Sequence, residues 1–370
     1  MDVQNNLAQW RAKRGLGASQ LAAAVGISRQ TVYAIEAGSY VPNTTVSLKL
    51  ARILDTTVEQ IFQLGPEEPA TAETSEAIVL GDPESMSPGQ PLRLCNVNRH
   101  VVAVIPEAGA WGLPPTDAVM LSAIRAGKRH ANAKVRMVGT DWKTSSRILI
   151  AGCDPSASLL ATALQRQGCE LVIAYENSSQ SLELLHEGLV HVAGTHLTEN
   201  DELSPITKLF PRNSVAVISY AIWEEGLVLA QGNPKKISGV TDFIRKDVRI
   251  ANREPGAGCR ILLDELLNEH GIAARQVKGY ERVVLGQLPA ARLVQSGEVD
   301  CCISTQAGAR TLGLDFIPLV RKPYRLVVRR KQLEFPPIQT LIETLGRASF
   351  RREVETCIGY DMRTAGDRLD

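Results

Sequence analysis

The chain has 370 residues, 44% of them hydrophobic, and a formal net charge of +1. That is apolar content for two or three packed domains, and too little net charge for a polycation that holds nucleic acid or membrane by charge alone. No run approaches the ~18 apolar residues of a membrane span. The start, MDVQNNLAQWRAKRG, has no apolar signal core, and seven cysteines without a CxxC pair fit a reducing compartment. A cytoplasmic protein with no membrane partner is expected.

The first informative stretch is LGASQLAAAVGISRQTVYAIEAGSYVPN, residues 16–43. Ser19-Gln20 opens one helix with Leu21, Ala22 and Val25 as its apolar positions. Gly26 permits a tight turn, and Ser28 is suited to cap a second helix. Val32 and Ile35 then share a buried face. Arg29, Gln30, Thr31 and Tyr33 are left on the outer face, where a recognition helix reaches base edges. Gly38 ends the helix and Pro42 follows the stop. Thr44–Leu54 predicts a fourth helix and Val58–Phe62 a fifth. The phrase SRQTVYAIEAG with its trailing proline resembles the Xre/Cro-type helix-turn-helix family over about residues 3–63. The resemblance implies DNA binding, with Gln20 and Asn43 on phosphates, Gln30 on a base, and Ser28, Arg29, Thr31 and Tyr33 at the interface. The module has six Lys/Arg against four Asp/Glu. So modest a charge implies a homodimer on a near-palindromic double-stranded operator.

Residues 65–90 carry six acidic groups and no basic one, among many Pro, Ser and Thr. They predict an acidic flexible linker. Residues 91–146 predict a small β-rich segment: LRLCNV and HVVAVI form a hairpin near Asn98-Arg99, with DAVMLSAI and AKVRMVGTD as further strands. From residue 147 to 370, strands and helices alternate, which predicts an α/β domain of two lobes with mainly parallel strands. RILIAG, LVIAY, LVHVAG, VAVISYAIW, DVRIAN, VDCCIS, LDFIPLV and YRLVVRR are the expected strands. Pro155–Gln167, Ser178–Glu187, Cys259–His270, Pro337–Leu345 and Phe350–Ile358 are the expected helices.

Ligands in α/β sheets sit beyond the carboxyl ends of strands. Three junctions qualify: Cys153-Asp154-Pro155-Ser156, Asn177-Ser178-Ser179, and Arg253 through Arg260 with Gly256 and Gly258. The last has a backbone suited to an anion, but neither a P-loop nor GxGxxG. Asp154 and Ser178 have capping alternatives. GCDPS, HVAGTHL, NREPGAGCRILLDELL and GLDFIPL resemble the periplasmic-binding-protein-like domain, related to type II solute binders such as molybdate binders, over about residues 147–363. The resemblance implies an all-α helix-turn-helix bundle fused to an α/β two-lobed ligand domain. Its cleft would be lined by Cys153, Asp154, Ser156, Asn177, Ser178, Thr195, His196, Arg253, Gly258, Cys259, Arg260 and Cys302. Cys259, Gly286-Gln287, Cys302 and Ser304 depart from that family's pattern, which weakens transfer of a molybdate-like oxyanion as effector.

The expected function is a ligand-responsive transcription regulator with a small polar or anionic effector. It is not expected to be an enzyme or to hold a cofactor or metal. Two alternatives stay open: a thiol- or metal-responsive repressor using the cleft cysteines, and an enzyme on a binding-protein fold using Cys153 or Cys259 with His196. His186 and His191 are expected on the surface.

Overall fold

The computed structural model describes residues 3–64, 74–107, 113–139, 142, 146–196 and 204–369. Two compact units divide between Glu73 and Thr74. In the first, five helices follow in order: α1 (Leu7–Lys13), α2 (Ala18–Val25), α3 (Arg29–Glu36), α4 (Thr44–Ile53) and α5 (Val58–Ile61). Their apolar positions close on a core of Leu7, Leu21, Val25, Val32, Ile35, Leu50, Leu54 and Ile61. Strands β1 (Val3–Asn5) and β2 (Phe62–Leu64) pair antiparallel and tie the two ends of the bundle together. Arg11 joins α1 to α3 through Glu36, Nε to Oε1 at 2.6 Å.

The second unit begins with a closed five-stranded barrel, in the order β3 (Thr74–Leu80), β5 (His100–Val104), β4 (Pro91–Val97), β6 (Ala118–Arg125) and β7 (His130–Met137). This corrects the linker expected over 65–90. Residues 65–73 lie outside the described residues, and TSEAIVL is a barrel strand. Its composition misleads because only alternate residues face inward: Ala77 and Val79 enter the barrel core, while Glu76 stays exposed. The β4–β5 hairpin turns at Asn98, which takes φ +55°. Leu80, Cys95, Val97, Val102 and Val104 continue into the core of the α/β region. Asp117 receives Arg93 at 3.0 Å and Arg147 at 2.8 Å across the same junction.

The α/β region has one eight-stranded sheet, in the order β13 (Val283–Val284), β12 (Ile250–Arg253), β14 (Cys301–Thr305), β11 (Val215–Leu229), β15 (Asp315–Arg329), β10 (Val192–Thr195), β8 (Ser146–Gly152) and β9 (Cys169–Tyr175). It is mixed rather than mainly parallel. β11 and β15 are antiparallel over 15 residues each and run through both lobes. At one end they carry β10, β8 and β9 with helices α6 (Ala157–Gln165), α7 (Ser178–Glu187), α12 (Pro336–Gly346) and α13 (Ala348–Ile358). At the other they carry β14, β12 and β13 with α9 (Gly258–Glu269), α10 (Gln287–Gln295) and α11 (Gln306–Leu312). A short helix α8 (Ser204–Leu209) precedes β11.

LDFIPLV and YRLVVRR, expected as two strands, are one. Pro323 is tolerated because Ile222, its partner on β11, exchanges both backbone bonds with Asp361 on the opposite edge. The register of this pair slips between Ser219 and Ala221 and between Glu225 and Gly226. These two bulges sit where the strands pass from one lobe to the other.

Candidate functional site

Two surfaces collect the functional side chains. In the helical unit, Gly26 takes φ +83° and lets α2 turn into α3. Ser28 Oγ accepts from the Thr31 amide at 3.0 Å and starts the helix as expected of a cap. The Thr31 and Ser28 hydroxyls also meet at 2.8 Å. Arg29 donates to Tyr33 Oη at 3.0 Å and lies 5.3 Å from the ring centroid, so the two side chains hold each other outward. Gln30 is exposed, and its side chain makes no hydrogen bond among the described residues. Gln20 and Asn43 have capping duties: Gln20 Oε1 accepts from Gly17 and Asn43 Oδ1 from Val46. Their amide nitrogens remain at the exposed surface.

The second surface lies between the lobes, around His196. This histidine follows β10, and its amide donates to Ser178 Oγ at 3.2 Å. Its Nδ1 is 2.7 Å from Glu225 Oε1, which stands at the second bulge of β11. His196 is 2% exposed and Glu225 0%. Burial opposes the charge of both, yet the proximity of the pair prevails. His196 is pushed up to about 9 by Glu225 and by the neighbouring Cys153 side chain, and Glu225 is held below the usual carboxylate range. A Cβ on Gly258, the first residue of α9, would lie 2.0 Å from the His196 ring, so this glycine is what lets the second lobe close over the imidazole. Asn177 caps α7 by accepting from Gln180, and its Nδ2 reaches Pro255 O across the cleft at 3.3 Å. Ser179 Oγ reaches Gly256 O at 3.4 Å.

Cys153 is half-buried at the end of β8. Gln287 Nε2, from the second lobe, donates to its sulfur at 3.8 Å. The Thr305 hydroxyl donates to Gln287 Oε1 at 2.7 Å and so turns the amide nitrogen toward the thiol. Behind them, Asp154 Oδ1 accepts from the amide and hydroxyl of Ser156, each at 2.5 Å, and Ser156 Oγ meets Tyr220 Oη. Burial pushes the Asp154 carboxyl up to about 6 despite those bonds. Tyr324 Oη packs over Gly152 and Gly194, where added Cβ atoms would stand 2.4 and 1.9 Å away.

Of the twelve residues expected in the cleft, the structure brings Cys153, Asn177, Ser178, His196 and Gly258 together. Thr195 is buried beside them at the end of β10. Asp154 and Ser156 form the buried turn behind. Arg253 is 3% exposed, and its Nε and Nη2 bind Glu254 at 2.9 and 2.8 Å, so most of its charge is already answered. Four placements differ from expectation. Cys259 packs with Leu262, Leu263 and Ile250, and Cys302 with Ala290, Val294 and Val299. Burial raises both thiols, Cys302 to about 12, and holds them as neutral side chains in the lobe cores. Arg260 turns outward to Asp264 at 3.2 Å and over the Tyr280 ring at 4.2 Å. His191, expected on the surface, is 2% exposed. Its Nδ1 accepts from the Leu149 amide, it stacks on Phe335, and burial lowers it to about 4.

Glu225 and Gln287 as partners of His196 and Cys153 escaped the sequence reading. The signal for Glu225 was an acidic pair inside the apolar run AIWEEGLVLA, where a buried carboxylate needs a cation.

The PBP superfamily domain family matches residues 161–346. Uncharacterized protein YvgK of Bacillus subtilis is 30% identical over 224 residues, which are 59% of this chain and 72% of that protein. This chain belongs to the PBP superfamily. Its first unit matches the helix-turn-helix family over residues 7–61. The uncharacterized HTH-type transcriptional regulator YgzD of Bacillus subtilis is 37% identical over 65 residues, 18% of this chain and 98% of that one. The chain therefore joins an Xre-type DNA-binding helix-turn-helix to a PBP-like ligand-binding domain. Among solved structures, a putative phosphate ABC transporter substrate-binding protein from Clostridium perfringens is similar at TM-score 0.46 and 13% identity, over 58% of this chain and 99% of that one. Among the described residues no helix is long and apolar enough to cross a membrane.

Proposed function

We propose that this chain is a cytoplasmic transcription regulator whose operator binding responds to a small polar molecule taken up between the two lobes. The observation that carries the reading is the convergence on His196 of groups from both lobes and from β11: Ser178 from the first, Glu225 from the bulge, Gly258 from the second. A molecule entering there must part Asn177 from Pro255 and Ser179 from Gly256, so occupancy is coupled to lobe angle. Such a ligand shifts the protein only by its differential affinity for the two angles, typically 1–3 kcal/mol.

The amino ends of α7 and α9 meet at this point, which favours an anionic group on the ligand. Arg253 adds little, because Glu254 neutralises it. The helix-turn-helix reads DNA as a homodimer, with Gln30, Arg29, Thr31 and Tyr33 at base edges and Gln20, Ser28 and Asn43 along phosphates. One module reads too few bases for a specific site.

The test is selection of the operator from random duplexes, followed by binding with and without each compound of a panel of carboxylic acids, amino acids and oxyanions. A compound that raises Tm and also moves operator affinity at least about fivefold supports the reading. Compounds that raise Tm and leave operator affinity unchanged would refute the coupling.

A further inference from the structure

From residue 118 to 139 the chain carries five Lys/Arg and no Asp/Glu. The stretch is the β6–β7 hairpin of the barrel. Alternation along β7 sends Ala133 and Val135 into the barrel core and leaves Asn132, Lys134 and Arg136 exposed on the outer face. Across the ladder, Lys134 stands opposite Ser122 of β6 and Glu76 of β3, and Arg136 opposite Val119 and Thr74. Near the turn, other cations are answered within the chain. Arg129 binds Glu176 at 2.9 Å, and Arg125 lies 3.7 Å from Glu84. Lys134 and Arg136 differ from these: among the described residues neither side chain makes a hydrogen bond or an ion pair, and Lys134 does not close on Glu76 although the register sets them side by side.

We propose that the outer face of the β6–β7 hairpin, through Lys134 and Arg136, is a second DNA contact that holds the phosphate backbone of the duplex bound by the helix-turn-helix. The class of partner follows from charge. Two unpaired cations two residues apart on one strand stand roughly 7 Å apart, and each strand of a duplex presents a phosphate every ~3.4 Å of axis, so the two side chains can take separate phosphates. The helix-turn-helix unit has only six Lys/Arg against four Asp/Glu, which leaves few cations for the backbone, and the hairpin adds to them. Both units belong to one chain, so a duplex held by the first is offered to the second at high effective concentration. Phosphate contacts carry no sequence information. The hairpin therefore strengthens binding to any duplex and leaves the choice of site to α3. The inference rests on the helix-turn-helix binding DNA, and is independent of what enters the cleft.

The test uses the full chain and a fluorescent DNA duplex of random sequence, with affinity read by anisotropy over a range of salt concentrations. The double variant Lys134→Gln/Arg136→Gln is expected to lower the slope of log K against log salt by about 2. A fourfold rise in salt then costs the variant about tenfold less affinity than the parent. Lys246→Gln/Lys278→Gln removes two exposed lysines of the second lobe, matches the first variant in net charge, and should leave the slope where it was. All four side chains are exposed, so both variants should fold with the parent's Tm to within a few degrees. An unchanged slope in the hairpin variant, or the same fall in both variants, overturns the proposal. A parent chain that binds no duplex overturns it together with the DNA-binding reading. An unchanged slope with binding retained overturns the hairpin contact alone.

Discussion

Gln30 on α3 faces solvent with its hydrogen-bonding groups unspent, and Arg29 and Tyr33 beside it are tied only to each other. His196, Glu225, Ser178 and Arg253 in the cleft are at most 3% exposed, each already engaged with another group of the chain. A surface of the first kind binds by adding contacts, at the cost of ordering long side chains. A site of the second kind binds by exchange: whatever enters must replace interactions that the protein makes with itself. Substitution should therefore cost folding stability in the cleft and spare it on the recognition helix.

The largest break in this contrast is expected at Glu225. Glu225→Leu leaves the His196 cation buried without its partner, and breaking such a pair typically costs about 3–5 kcal/mol. Urea unfolding of the variant measures it. A loss below about 1 kcal/mol would mean that the pair carries no charge in the folded protein.

His191 gives a pH signature to the packed side. Burial lowers it to about 4 in the folded chain, against the ordinary 6.5 of a solvated imidazole, so the unfolded chain binds more protons between those limits. The folded protein has its full share of this stability above pH 6.5 and loses it as pH falls toward 4, by up to about 3 kcal/mol. His191→Gln keeps an acceptor for the Leu149 amide and should flatten that limb of the stability curve. An unchanged acid limb would place the titration elsewhere.

On the open side, Gln30→Ala should leave stability within about 0.5 kcal/mol and weaken the cognate operator by about 1–3 kcal/mol, with specificity relaxed at one base pair. Equal weakening on random duplex would reassign Gln30 to the phosphate backbone.

The same contrast explains what the sequence made legible. The helix-turn-helix was readable because its information is local: Gly26, Ser28, Val32 and Ile35 lie within ten residues, and the exposed set is what the pattern leaves over. The cleft was readable only as a set of strand ends. Asn177, His196 and Gly258 stood at such ends. Which neighbour each would meet was decided by β11 and β15, whose antiparallel course brings Glu225 from a strand interior to His196. Cys259 and Cys302 show the converse error. They flank the right junctions, but Cys259 at the second position of α9 turns its thiol into the lobe core. The barrel strand β3 was hidden by its polar start, Thr74, Ser75 and Glu76, of which Glu76 stays exposed.

Arg260 offers the finest distinction between the two kinds of surface, because it belongs to the junction whose glycine turn suits an anion and yet turns away from it. Its contacts are an exposed ion pair with Asp264, a ring face on Tyr280, and a 3.3 Å bond to Arg253 O. Surface pairs of this sort contribute about 0–1 kcal/mol. Arg260→Ala should therefore change Tm by a few degrees at most and leave effector affinity where it was. Arg253→Ala strands the buried Glu254 carboxylate and should cost several times more stability. If Arg260→Ala instead weakens the effector tenfold, its guanidinium must leave Asp264 and swing into the cleft when the lobes part. The anion site read from the glycine turn would then exist only in the open form.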